Sequence, residues 1–149
     1  LFFVIQKVTE IGISNISLYR PENIDQSIKK KDLSKINEKA LSIITQACEQ
    51  NGSNTVPDFY TYEDISSAIV NDKLAIFFDL DATDDCKSII NHEDSITLIT
   101  GPESGFSKKE RELLDAKSSH NISLGKNILR AETAPIVALS VIKSNLGLL

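Results

Sequence analysis

Between Ser95 and Leu139 the chain twice repeats a short apolar run, a glycine-bearing loop and a helical pattern, and this repetition constrains the fold more than any other feature. Ile96 to Thr100 leads into Gly101-Pro102-Glu103-Ser104-Gly105-Phe106. Ile122-Ser123-Leu124 leads into Gly125-Lys126-Asn127-Ile128-Leu129-Arg130. Strand–loop–helix units in succession lay their strands side by side and parallel, with the loops gathered at the strands' carboxyl ends. Sites in open α/β sheets form there. The expected fold is α/β, a mostly parallel sheet with helices on both faces.

The boundaries of these units are written in local chemistry. Ser107-Lys108-Lys109-Glu110 has the spacing of a capping box: the hydroxyl accepts from a free helical N–H and the carboxylate reaches back. Leu113, Leu114 and Lys117 continue that helix. Thr133 is expected as the N-cap of the last helix, where Pro135 is tolerated because a first-turn N–H has no helical partner. Ile136, Val137, Leu139, Val141 and Ile142 make this helix apolar around much of its girth, which calls for burial in a core or against another subunit.

Upstream, Phe3, Val4, Val8 and Ile11 recur at helical spacing and Gly12 follows as a C-terminal cap. Ile16-Ser17-Leu18 reads as a strand, with Arg20 to Lys31 a polar loop. Lys7 and Glu10 either face a site or form an exposed ion pair. Asp32 to Gln50 is the clearest helix: Leu33, Ile36, Ala40, Ile43, Ile44 and Ala47 follow three-and-four spacing and Gly52 stands just beyond. Thr61 and Asp64 suggest a short capped helix through Val70. Leu74 to Phe78 is an apolar strand ending at Asp79. Asp79, Asp81, Asp84 and Asp85 lack the spacing of a calcium loop and read as solvated acids that cap nearby backbone, so no metal site is expected.

Composition excludes several classes. The 149 residues fit one domain, 41% hydrophobic and 25% charged. No run is long enough to span a bilayer and no signal peptide is visible, so a cytoplasmic protein without membrane contact is expected. Cys48 and Cys86 have no metal-like spacing and form no cluster with His92 or His120; they read as small packing residues. There is no G-x-G-x-x-G, no phosphate-loop lysine and no G-x-S-x-G elbow. The net charge of -5 is the opposite of a typical nucleic-acid surface. Lys29-Lys30-Lys31 and Lys108-Lys109 with Arg111 are the candidate basic patches.

GPESGFSKKE followed by LGKNILRAETAPIVAL resembles the paired C-terminal motifs of the RsmE family of SPOUT RNA methyltransferases. QKVTEIGISNISLY resembles the family's opening motif, with Lys7, Glu10 and Gly12 in matching places. Ala47 to Pro57 resembles its EQ-x-x-R-N-x-x-P segment, in which Glu49, Gln50, Asn54 and Pro57 match. The chain departs from the pattern in three places: Ser104 stands where glycine is usual, Ser53 where arginine is usual, and Glu22-Asn23, or Arg20 in a shifted register, where the family has an Arg-Ser pair facing the substrate.

The resemblance implies a SPOUT domain over residues 1–149 whose C-terminal part is threaded into a trefoil knot. It also implies a homodimer, and a chain lacking the family's N-terminal PUA-like RNA-binding domain; Leu1 is not a natural start. The implied reaction is methyl transfer from S-adenosyl-L-methionine to N3 of a uridine in small-subunit ribosomal RNA. Gly101, Pro102, Glu103, Gly105, Leu124, Gly125, Ile128, Leu129, Thr133 and Ala134 would hold the cofactor, small residues permitting close backbone approach. Arg130, Glu132, Glu49 and Gln50 would serve catalysis, the amide of Gln50 being able to donate to and accept from a uracil edge. An Arg–Glu pair with an N-cap accounts for Arg130, Glu132 and Thr133 structurally. Glu103 and Glu10 are the candidates for proton acceptor. A SPOUT enzyme acting on another RNA position, or a diverged module that binds without turnover, are the alternatives.

Overall fold

The structure is a computed structural model describing residues 1–23, 32–69, 74–82, 95–118 and 120–149. Lys29–Lys31, Val70, Asp84, Asp85, Cys86 and His92 lie outside the described residues, so the basic run, the far end of the short helix and half of the acidic group carry no structural statement.

In chain order the elements are α1 (Phe2–Ile11), β1 (Asn15–Tyr19), α2 (Leu33–Asn51), β2 (Asp58–Tyr62), α3 (Ile65–Ala68), β3 (Leu74–Phe78), β4 (Ile96–Thr100), α4 (Lys108–Lys117), β5 (His120–Ile122) and α5 (Ala134–Asn145). All described pairings are parallel. β1 pairs with β2, and β3 lies between β4 and β5. The fold is therefore mixed α/β with parallel sheets, as the repeated strand–loop–helix units predict.

β3 is buried along its whole length, which is why Leu-Ala-Ile-Phe-Phe reads as a continuous apolar run rather than an alternation. Its side chains divide between two cores. Leu74, Ile76 and Phe78 join Ile122 of β5 and Ala138 and Ile142 of α5. Ala75 and Phe77 face the other way, with Ile65 and Ile69 at α3, Ile99 of β4 and Leu114 of α4. Helices thus cover both faces of this sheet. Phe77, 1% exposed, meets Phe106 edge-on at 6.1 Å. Burying such a ring contributes about 2–3 kcal/mol, so β3 anchors the loops that follow its neighbours.

A third core joins α1, α2 and the β1–β2 pair through Ile5, Ala40, Ile44, Cys48 and Phe59. Cys48 is buried there, as its helical position suggests. α2 begins at Asp32, whose carboxylate accepts from the Ser34 N–H at 2.9 Å and hydroxyl at 2.7 Å. These bonds favour its charged form and lower its pKa. α2 ends at Gly52, in the left-handed region at φ 74°.

Several sequence expectations shift. On α1 the buried residues are Ile5, Val8 and Thr9, whereas Phe3 is exposed. The helix presents one stripe to α2, and Thr9 is accommodated in it because its hydroxyl donates to Ile5 O at 2.8 Å. The short helix is capped by Asp64, whose carboxylate accepts from Ser67 N–H; Thr61 lies in β2 instead. β5 begins at His120 and ends at Ile122, two residues earlier than the apolar run suggests. Leu124 still packs against the α5 core, but from outside the ladder. Thr133 occupies the N-cap position of α5 with helical backbone angles, and its hydroxyl makes no capping bond. The chain enters that helix through a tight turn in which Arg130 O accepts from the N–H groups of Thr133 and Ala134, at 2.8 and 3.0 Å.

Candidate active site

Three loops leave the carboxyl ends of the neighbouring strands β3, β4 and β5. After β4, Gly101 gives way to a turn closed by the Gly105 N–H donating to Pro102 O at 2.9 Å, with Gly105 at φ 71°. The Phe106 ring pins this loop to the core; a Cβ on Gly101 would stand 3.2 Å from it, which accounts for glycine there. The predicted capping box is complete: Ser107 Oγ accepts from Glu110 N–H at 3.1 Å, and the Glu110 carboxylate accepts from Ser107 N–H at 2.7 Å.

After β5, Ser123 Oγ accepts from Gly125 N–H at 3.3 Å and Gly125 adopts φ 119°. Nothing lies within 4 Å of where a Cβ on Gly105 or Gly125 would stand. Their backbones therefore border open space, and their positive φ disfavours any other residue. Beyond them Ile128 is 80% exposed, an apolar side chain left uncovered beside a bare backbone. Arg130 is also extended into solvent, 81% exposed, with Glu132 at 3.9 Å. After β3, Asp79 N–H donates to Ile122 O at 3.1 Å, joining this loop to the end of β5. The Asp79 carboxylate accepts from the Leu80 N–H at 2.7 Å, the backbone-capping role expected of it, but its side chain is largely buried against Arg111 of α4 and not solvated.

The loop after β1 reaches the same end of the molecule. Glu22 N–H donates to the Glu110 carboxylate at 3.0 Å, and Ser104 Oγ donates to Asn23 O at 2.9 Å. Glu110 is only 3% exposed. Its charge, after burial itself, raises the pKa of the Tyr19 hydroxyl. Sequence reasoning missed the reach of these residues. Glu110 reads only as a local cap, and Glu22 and Ser104 register only as departures from a pattern.

In the one candidate basic patch among the described residues each cation has an acidic neighbour, Lys108 with Glu112, Lys109 with Glu22 and Arg111 with Asp79, while both lysine side chains remain exposed. Lys7 and Glu10 form the predicted pair at 2.8 Å. They also line an open groove of about 710 Å³ between α1 and α2, together with Phe2, Phe3 and Gln50. α2 carries the chain from the carboxyl end of β1 back to the amino end of β2, where Asp58 pairs with Asn15. Glu49 and Gln50, at the end of α2, accordingly lie at the opposite end of the strands from the glycine loops. The structure brings Gly101–Gly105 together with Glu22 and Asn23, and places Leu124–Arg130 beyond the end of β5, on the other side of β3 from β4. It does not bring Glu49, Gln50 or Glu10 to them within one chain.

Residues 1–143 match the family model of the RNA methyltransferase domain. The ribosomal RNA small subunit methyltransferase E of Bacillus subtilis is 28% identical over 160 aligned residues, which cover 100% of this chain and 62% of that protein. A Legionella pneumophila protein solved with bound cofactor SAM is 30% identical with a TM-score of 0.85, over 96% of this chain and 60% of the other. The ribosomal RNA small subunit methyltransferase E of Neisseria gonorrhoeae, solved with S-adenosyl methionine, is 26% identical with a TM-score of 0.83, again over 96% and 60%. The chain thus spans about three fifths of the length of the relatives it matches.

Proposed function

Because the chain belongs to the RNA methyltransferase domain family, we propose that its glycine loops bind S-adenosylmethionine and that it methylates N3 of a uridine in small-subunit ribosomal RNA. One observation supports the reading: Gly105 and Gly125 stand at positive φ beside open space beyond the carboxyl ends of β4 and β5, the two parallel strands that flank β3, and Ile128 after Gly125 is exposed. Bare backbone N–H and C=O groups suit the edge of a purine, and an exposed aliphatic side chain suits its face. The residues present fit such a ligand. That two structural relatives were solved with it bound supports the assignment.

In this reading Gly101, Pro102, Glu103 and Gly105 form one wall of the cradle. Leu124, Gly125, Ile128 and Leu129 form the other. Thr133, whose hydroxyl is not spent on capping, and Ala134 close it from the start of α5. Held there, S-adenosylmethionine would supply an electrophilic methyl group on a sulfonium that is a good leaving group. What remains for the protein is to align the two reactants, exclude water and favour loss of the N3 proton. Arg130 suits the last of these roles. Its guanidinium, exposed and only 3.9 Å from Glu132 at the nearest, is free to approach a uridine and stabilise the negative charge that develops as the proton leaves. Glu103, exposed at the turn, is the nearer candidate for proton acceptor.

Glu49 and Gln50 stand away from the cradle, so a catalytic role for them requires a homodimer in which one protomer's α2 reaches the other's loops. The half-exposed apolar side chains of α5 and the exposed Leu148 and Leu149 are consistent with such an assembly. The reading also includes a trefoil knot in the C-terminal part, a cytoplasmic site of action and an RNA-binding domain outside this chain. A module that binds without turnover is the second reading, favoured by the departures from the family pattern at Ser104, Ser53 and Glu22-Asn23.

Calorimetric titration of the chain with S-adenosylmethionine tests the cradle, with Gly125→Val as the comparison. Saturable binding that the variant loses is the expected result. Equal binding by the variant, or none by the folded wild-type chain, overturns the assignment. Binding without methylation of small-subunit RNA by the whole protein selects the second reading.

A further inference from the structure

We propose that Asp79 is a positioning residue that fixes the spacing between the two walls of the cradle, holding one through its backbone and the other through its carboxylate. The inference rests on the reading of the glycine loops as a cofactor cradle. Those loops follow β4 and β5, which are not paired with each other but lie on opposite sides of β3. Whatever sets their separation at the carboxyl ends has to cross the end of β3. Asp79 is the first residue beyond that strand, which ends at Phe78.

The main chain of Asp79 serves the β5 side. Phe78 is paired with Ile122, and the Asp79 N–H then donates to Ile122 O at 3.1 Å, at the last residue of β5 before Ser123, Leu124 and Gly125. The side chain serves the other wall. One carboxylate oxygen pairs with the Arg111 guanidinium of α4, and the other accepts from the Leu80 N–H at 2.7 Å. Arg111 stands in the first turn of α4, directly after the loop Gly101–Phe106, and its N–H donates to Ser107 O at 2.9 Å. One residue therefore holds the base of both walls.

The ion pair is unequally enclosed. The Asp79 side chain is 10% exposed and that of Arg111 39%. Drawing α4 away from β3 would take the guanidinium from a carboxylate that has little water to replace it, so the pair resists displacement more than a surface pair does. The Leu80 bond fixes the carboxylate from its own loop. These contacts stand without a ligand, and their effect is preorganisation: the cofactor meets two walls already at their working distance, and none of its binding free energy goes to ordering them.

Asp79→Asn isolates the arm to α4. The amide oxygen still accepts from Leu80 and the backbone bond to Ile122 is kept, but an NH₂ now faces the guanidinium, donor against donor. In the ligand-free chain the NMR amide resonances of Gly105 and Gly125 should both move, while that of Gly52, at the end of α2, stays. In calorimetric titration the variant should bind S-adenosylmethionine at least about fivefold more weakly than wild type. Ile44→Val loosens the core between α1 and α2, away from the cradle, and should keep the wild-type affinity despite its lower stability. Arg111→Met breaks the same pair from its more exposed end; it should weaken binding comparably, and it decides the matter if Asp79→Asn does not fold. Wild-type affinity in the pair-breaking variant, an equal loss of affinity in Ile44→Val, or an unmoved resonance at either cradle glycine overturns the proposal. If the wild-type chain itself binds no S-adenosylmethionine, the cradle reading fails, while the ligand-free resonances still judge whether Asp79 sets the two loops.

Discussion

Replacing Glu110 by glutamine should destabilise the protein far more than a change of one atom suggests. The carboxylate is 3% exposed and each of its oxygens accepts from a different backbone N–H: Ser107 at 2.7 Å and Glu22 at 3.0 Å. Glutamine keeps one acceptor and turns an NH₂ toward the other N–H. One hydrogen bond to a charged group is lost, worth about 1.5–3 kcal/mol, and the abandoned N–H stays in a confined place. Loss of a negative charge in the first turn of α4 adds about 0.3–1 kcal/mol. The sum is about 2–4 kcal/mol, or a fall in melting temperature of about 5–15 °C for a chain of this size. Thermal and urea unfolding of the two proteins measure it. The variant should also bring the Tyr19 hydroxyl part of the way back toward its ordinary value, because the Glu110 charge is the lesser cause of its displacement and burial the greater. A loss below about 1 kcal/mol with Tyr19 unmoved would refute the account of Glu110 as a charged, doubly engaged anchor.

Tyr19→Phe tests the same neighbourhood from the other side. The hydroxyl is buried with no hydrogen-bond partner among the described residues, so at neutral pH the variant should be as stable as wild type or slightly more so. Because the folded pKa lies above the ordinary 10.0, the folded protein holds a proton that the unfolded chain gives up, and stability falls as pH rises past 10. Melting curves between neutral pH and pH 11 should show wild type losing about 1.4 kcal/mol per unit at the alkaline end that the variant does not lose. Arg130→Ala should leave stability within about 0.5 kcal/mol, since the side chain is 81% exposed and its contact to Glu132 is long. Methyl transfer by the whole protein should fall about a hundredfold; turnover equal to wild type would remove Arg130 from the site.

What the sequence disclosed follows from how locally each feature is determined. The capping box at Ser107 and Glu110, the glycine stops after α1 and α2, and the buried run of β3 each depend on residues within one or two turns of chain. All stand in the structure as expected. The misplacements have a common physical origin in tertiary context. β5 has the length of its apolar run but lies two residues earlier, because the ladder is set by pairing with Ile76, Phe77 and Phe78, which leaves Ile122 in the core at the strand's end. Thr133 does not cap because the preceding turn, closed on Arg130 O, delivers the chain to α5 already in helical geometry. Phe3 is apolar and correctly spaced, yet α1 turns its Ile5 stripe to α2 instead. The candidate site shows the same division. The two glycine loops are visible in sequence, whereas the partnership of Glu22 with Glu110, across 88 residues, has no sequence signal except an acid at an unexpected place.

The parallel ladder has a kinetic consequence. No described strand pairs through a hairpin. Asn15 meets Asp58, Leu74 meets Ile96, and Ile76 meets His120, so no pairing closes a loop shorter than 22 residues. Each must bear its loop-closure entropy before any contact returns it, which makes such chains slow to reach the native state. The last described strand, β5, can dock only after β3 is in place. Lys143 then ties the terminal helix to the far end of the chain through the Ile11 and Gly12 carbonyls, at 2.7 and 3.2 Å. The loop after β5 follows the last pairing. On the proposed reading of the glycine loops, the wall after β5 would be completed last, and the appearance of S-adenosylmethionine binding during refolding would time that step.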